Sequence, residues 1–144
     1  MLHKIIKLEV VTPNRVVLKE DVLQVTVPTK AGEITVLPEH IPLLSILKPG
    51  IIEMKNKDGE KEVIAVSGGF IDVLKNKIVI LADTAERAQE IDLEKAEEAR
   101  KRAEKIKEES IHRDDVGFAD MSLKIEKELA RSGAVKRWRR IRGI

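Results

Sequence analysis

The chain has 144 residues, 42% of them hydrophobic, and a formal net charge of +2. It contains no cysteine, which excludes disulfides and thiolate metal sites and gives no sign of an oxidising compartment. No run of about 18 apolar residues occurs, so no membrane-spanning helix is expected, and the apolar run after Met1-Leu2-His3-Lys4 is too short for a signal peptide.

The only aromatic residues are Phe70, Phe118 and Trp138, so a core must be built from Val, Ile and Leu. Charge is uneven. Residues 1–85 carry 11 basic and 11 acidic side chains, residues 86–130 carry 10 and 14, and residues 131–144 carry 6 and none. A tail of +6 on an otherwise balanced chain reads as an interaction segment.

From the N-terminus, Ile6, Leu8 and Val10 alternate with Lys7 and Glu9, the period of a half-buried strand. Thr12-Pro13-Asn14 turns the chain into a second strand over 15–18. A third places Leu23, Val25 and Val27 on one face and is expected to stop at Pro28. The stretch 32–50 holds three of the five prolines and reads as a strand over 33–37, a corner, a short strand over 43–47 and a turn at Pro49-Gly50. Such a corner lets a chain cross between the two sheets of a sandwich. Ile52 and Met54 begin a hairpin closed by Asp58-Gly59 and returned by residues 63–66. Ser67-Gly68-Gly69 breaks that strand. Ile71, Val73 and the run 78–81 complete eight to ten short strands, and the unbroken Ile78-Val79-Ile80-Leu81 predicts a strand covered on both faces.

Composition changes at Asp83-Thr84. Thr84 is the candidate N-cap of a helix over 86–110 in which 16 of 25 residues are charged. Ala96, Ala99, Ala103 and Ile106 recur at helical spacing, a narrow stripe that packs on one partner. Residues 110–117 read as a loop. A second helix aligns Phe118, Met121, Ile125 and Leu129, breaks at Ser132-Gly133, and resumes with Val135, Trp138 and Ile141. The expected architecture is α+β: a ten-stranded antiparallel β-sandwich over 1–85, then an antiparallel helical hairpin with a basic tail over 86–144. An alanine seam should dock weakly, because each methyl buries a fraction of the ~1.5–3 kcal/mol that a Leu or Ile contributes.

Four ordered motifs carry a family resemblance: Gly32-Glu33-Ile34 through Leu37-Pro38-Glu39-His40-Ile41-Pro42-Leu43-Leu44; Leu47-Lys48-Pro49-Gly50-Ile51-Ile52; Val66-Ser67-Gly68-Gly69-Phe70-Ile71-Asp72-Val73; and Val79-Ile80-Leu81-Ala82-Asp83-Thr84-Ala85. In this order the chain resembles the epsilon subunit of F-type ATP synthases along its whole length. Thr35 and Glu39 stand where that family commonly has glycine.

The resemblance implies a non-catalytic rotor subunit, peripheral on the cytoplasmic face of a bacterial membrane and reaching it only through the complex. It implies a sandwich that binds the gamma subunit and the c-subunit ring, with Lys30, Ala31, Gly32, Pro38, Glu39 and His40 at that interface. It implies a hairpin that restrains ATP hydrolysis by extending into the alpha/beta catalytic hexamer. Some members bind ATP in the folded hairpin. Here Ile91-Asp92-Leu93-Glu94-Lys95-Ala96 matches that motif with Lys95 in place of arginine, and Glu86, Arg102, Lys127 and Arg131 fall at its other polar positions. Lysine cannot make a planar bidentate phosphate contact, so no resident cofactor is expected and at most weak ATP binding.

Taken alone, the tail Arg131, Lys136, Arg137, Trp138, Arg139, Arg140, Ile141 and Arg142 suits a nucleic-acid or anionic-membrane surface. With the resemblance, its partner becomes an acidic segment of the catalytic beta subunit and no nucleic acid is involved. The +6 charge makes the tail poorly matched to its own neutral sandwich. His3 and His112 have no ligand-spaced partners, and no metal cluster, Ser-His-Asp set or phosphate loop occurs in the sequence.

Overall fold

The computed structural model describes residues 4–110 and 115–144. Among these residues, alternation of β-branched and polar side chains produces nine strands: β1 (Ile6–Val11), β2 (Val16–Thr29), β3 (Gly32–Val36), β4 (Leu43–Leu47), β5 (Gly50–Asn56), β6 (Lys61–Val66), β7 (Gly69–Val73), β8 (Lys77–Ala82) and β9 (Ala85–Arg87). They form two layers. The first runs β4-β7-β8-β1 and the N-terminal half of β2; the second runs β3, the C-terminal half of β2, β5, β6 and β9. Five strands in each layer give ten by position, because β2 serves both. All pairings are antiparallel except β1 with β8.

The sequence divides β2 into two strands, yet the strand is continuous for 14 residues. Its polar middle is paired rather than looped: Lys19 faces Glu9 and Asp21 faces Lys7 on β1. A register shift between Val22 and Gln24 marks where β2 leaves β1 for β5. Pro28 does not stop it. Proline lacks a donor, but the Pro28 carbonyl accepts from Lys48 N at 3.0 Å and the strand reaches Thr29. The Pro-rich corner then carries the chain from β3 in one layer to β4 in the other, as its composition predicts.

Between the layers lies an aliphatic core that includes Leu8, Val10, Val22, Val25, Ile52, Ile64, Ile71 and Ile80. At the start of β7, Gly69 has φ +130, and a Cβ there would come 2.0 Å from the Leu81 carbonyl oxygen, so no other residue fits. The expectation that β8 is covered on both faces is wrong. Ile78 and Ile80 enter the core, whereas Leu81 is exposed and Val79 half-buried, because nothing packs on the outer face of this layer among the described residues.

The C-terminal elements differ from expectation at their ends. Thr84 caps no helix; its hydroxyl donates to Ser67 Oγ at 2.6 Å, and the chain first adds β9 to β6 and makes a 3-10 turn over Ala88–Glu90. Helix α1 (Leu93–Ser110) is capped by Asp92, whose Oδ1 accepts from Lys95 N at 3.1 Å. Helix α2 (Asp115–Arg142) starts inside the span read as a loop, whose residues 111–114 lie outside the described ones. It also runs unbroken through Ser132 and Gly133. These two are small because the helix lies close to the sheet there: Ser132 is buried, and a Cβ on Gly133 would stand 3.1 Å from Ile51 Cδ1. Glycine's weak propensity, about 1 kcal/mol below alanine, is overridden by that packing.

The hairpin is docked. α2 lies on the outer face of β5 and β6 and α1 packs on α2. A second core forms there from Val63, Ala65, Ala88, Ile91, Ala96, Ala134 and Val135, with Ile51, Leu93 and Trp138 at its margin. Ala96 and Ala103 supply the seam as read from the sequence, while Ile106 stays substantially exposed.

Candidate functional site

The outer face of the first layer carries an apolar row defined by register. Ile46 on β4 faces Phe70 on β7, Phe70 faces Leu81 on β8, Leu81 faces Val11 on β1, and Val11 faces Val16 on β2. Ile46 and Phe70 are each 51% exposed, Leu81 47% and Val16 61%, with Leu44 beside them at 72%. Crossing five strands at roughly 4.8 Å spacing, the row is about 19 Å long. Scattered apolar residues are ordinary on a surface, whereas a contiguous exposed apolar row is the kind of feature that interaction surfaces carry.

The corner residues do not gather at one point. Lys30 and Ala31 make the exposed turn before β3, where Gly32 has φ +125 and Lys30 N donates to Ile46 O at 3.0 Å. Pro38, Glu39 and His40 follow β3 at its other end. A partner touching both turns must lie along that five-residue strand, about 17 Å. Glu39 has φ +68, the one non-glycine residue with positive φ among those described, which explains why glycine suits this position. Its carboxylate pairs with Lys4 Nζ at 2.8 Å. His40 Nδ1 lies 2.6 Å from Ile41 O and donates to it.

A set of ion pairs crosses from the hairpin to the sandwich. Arg131 Nε is 3.0 Å from Glu86 Oε1 on β9, and its Nη2 donates to Glu86 Oε2 at 3.2 Å. The same guanidinium donates through Nη1 to Glu128 Oε2 at 2.9 Å, and Glu128 is only 6% exposed. Burial acts to lower the Arg131 pKa, but pairing with Glu128 and Glu86 outweighs it and the value rises. Arg137 Nη1 reaches Glu53 Oε2 on β5 at 3.4 Å. Within the hairpin, Lys136 Nζ is 3.0 Å from Glu97, and its hydrogen bond holds that carboxyl below the usual range. At the 3-10 turn between β9 and α1, Arg15 Nη2 donates to Glu90 Oε2 at 2.9 Å and lowers its pKa in the same way. The tail therefore fits its own sandwich, against expectation. A neutral domain still offers local carboxylates, and Val135 and Trp138 add apolar contact.

Residues 5–88 match the family described as ATP synthase, Delta/Epsilon chain, beta-sandwich domain. The ATP synthase epsilon chain of Chloroflexus aggregans is 47% identical over 126 residues, 88% of each chain. That of Moorella thermoacetica is 42% identical over 119 residues, 83% of this chain and 89% of its own. The chain belongs to the ATP synthase epsilon-chain family. A chain in the structure of the Euglena gracilis mitochondrial ATP synthase (OSCP, F1 and c-ring, rotational state 1) superposes with TM-score 0.80 at 27% identity, covering 91% of this chain and 81% of that one. A chain of the Tetrahymena thermophila mitochondrial ATP synthase central stalk and c-ring shares the fold at TM-score 0.62 and 15% identity, covering 94% and 99%. As an epsilon-family chain the molecule is a component of a rotary ATP synthase rather than its catalytic subunit, associated peripherally with a membrane complex. No helix among the described residues is long and apolar enough to cross a membrane.

Of the epsilon-family positions expected to contact nucleotide, the fold joins Glu86 to Arg131 and uses the others differently. Ile91 and Ala96 are buried in the second core, Asp92 caps α1, Lys95 and Arg102 are exposed, and Lys127 is half-buried on α2. Acidic side chains of Glu90, Asp92, Glu94 and Glu97 line the hollow at the start of α1, with Arg139 the one cation among its described lining residues. Sequence reasoning missed the apolar row and the carboxylates of Glu53, Glu86 and Glu97 as partners of the tail. The signal for the row was present: Leu44, Ile46, Phe70 and Leu81 occupy outward positions where a solvated sheet would place polar residues.

Proposed function

We propose that the chain is the central-stalk epsilon subunit of a bacterial F-type ATP synthase, on the cytoplasmic face of the membrane. It couples ion translocation to ATP synthesis and restrains ATP hydrolysis through its C-terminal helices. In this reading the sandwich binds the gamma subunit through the row Ile46–Phe70–Leu81–Val11–Val16, and its turns at Lys30-Ala31-Gly32 and Pro38-Glu39-His40 meet the c-ring or gamma. The observation that carries the reading is that this row lies on the face opposite the hairpin, so a stalk partner can hold the sandwich whatever the helices do. The helices act when α2 leaves the sheet and presents its basic end to the catalytic hexamer. Nucleotide has a minor part here, because the Arg131 guanidinium is already occupied by two carboxylates. The test is co-purification with gamma. Phe70→Asp combined with Leu81→Asp should abolish a salt-resistant complex while the melting transition of the isolated subunit persists. A complex that survives both charges sinks the assignment of this face.

A further inference from the structure

We propose that Glu53 and Glu86 of the sandwich act as an internal substitute for the hairpin's acidic partner, keeping α2 docked by occupying Arg137 and Arg131. The inference rests on the reading of the hairpin as the regulatory element and adds what the docked state does with its charges. Arg131 donates one hydrogen bond to Glu86 through Nη2 and brings Nε to 3.0 Å of the same carboxylate as an ion-pair contact, while Arg137 makes a single contact to Glu53. Charge-assisted guanidinium–carboxylate contacts are stronger than hydrogen bonds between neutral groups.

The two pairs respond differently to undocking. Glu128 travels with Arg131 on α2, so a departing helix keeps the buried i,i+3 pair and loses only Glu86. Glu53 retains Lys61 at 3.6 Å when Arg137 leaves. Arg15, which feels the charge of Glu86 and binds Glu90, stays on the sandwich beside the vacated carboxylate. No buried charge is stranded by opening, which keeps the exchange cheap in both directions. Arg139 and Arg140 remain exposed in the docked state and can meet a partner first. A partner carboxylate must then take Arg137 and Arg131 from Glu53 and Glu86, so docking and engagement compete for the same two arginines.

The full chain serves for the test, with the double substitution Glu53→Gln and Glu86→Gln, which leaves every arginine in place. Hydrogen exchange of residues 128–142 and binding of a labelled oligoglutamate peptide are measured together. Exchange should quicken about tenfold in that segment, strand amides should keep their protection, and peptide affinity should rise about tenfold. The added affinity should disappear when Arg131 and Arg137 are also changed to glutamine. Unchanged exchange would overturn the proposal, as would faster exchange without tighter peptide binding, or a gain that outlives both arginines. Co-purification with the stalk partner reads the sandwich face separately and is expected to be unaffected by all of these variants.

Discussion

Glu20 shows how a single carboxyl can work against the fold that contains it. It sits on β2 beside Glu62 of β6; burial first, then the charge and hydrogen bond of Glu62, push its pKa up. An acid whose folded pKa exceeds its unfolded value favours the fold while protonated and loses that contribution as pH rises through the raised value. Near neutral pH the Glu20 carboxylate therefore costs stability. Glu20→Gln should raise the melting temperature at pH 7 by roughly 1–3 °C, and the advantage should shrink as pH falls below the ordinary carboxylate range. Melts of both proteins across that range check the sign; a larger advantage in acid would refute it. Residues of this sort are where reading the sequence stops short. Glu20 and Glu62 are 42 positions apart, and Glu86 and Arg131 are 45, so neither pair leaves a local pattern.

Elements were legible where one face is apolar and the other polar, and obscure where a partner strand supplies the reason. β1, β3, β4, β5, β6 and β7 follow from alternation and turn residues alone. The middle of β2 reads as a break because Lys19, Glu20 and Asp21 are charged, yet two of them face opposite charges on β1. Gly133 reads as a helix breaker because propensity is local, whereas the reason for a glycine lies across the interface at Ile51. That contact gives a direct handle on docking. Gly133→Leu should force α2 off β5 without touching the core between the layers. Trp138 is the only tryptophan and the chain has no tyrosine, so its emission should move to the red on loss of the second core. The strand melt should persist; an unshifted Trp138 would mean that α2 absorbs the extra bulk in place.

At the scale of the molecule, the two cores are unequal. The one between the layers is built from large aliphatic side chains, whereas four of the seven buried residues of the second are alanines. Removing α1 and α2 uncovers mainly Val63, Ala65 and Ile51, a small loss at about 25 cal/mol per Å² of apolar area. A chain ending after Ile91 keeps β9 on β6 and should melt cooperatively, hold the stalk partner, and let the assembled complex hydrolyse ATP faster than the intact subunit allows. One ending at Ala85 gives up Glu86 and Arg87, and with them most of the β9 pairing, and should melt lower. Equal hydrolysis by complexes with intact and shortened subunits, under conditions where the intact subunit inhibits, would remove the case for an inhibitory hairpin.

The row across β4, β7, β8, β1 and β2 and the hairpin seat on β5 and β6 share no residue, and the aliphatic core lies between them. In the proposed reading, a turning shaft that gripped the first face would transmit torque into the stiff body of the sandwich. The hairpin, the brake in the proposed reading, packs on the opposite side and joins the sandwich through the few residues between β9 and α1. Setting or releasing such a brake would not loosen the grip on the shaft, so control of hydrolysis would change during rotation without slip.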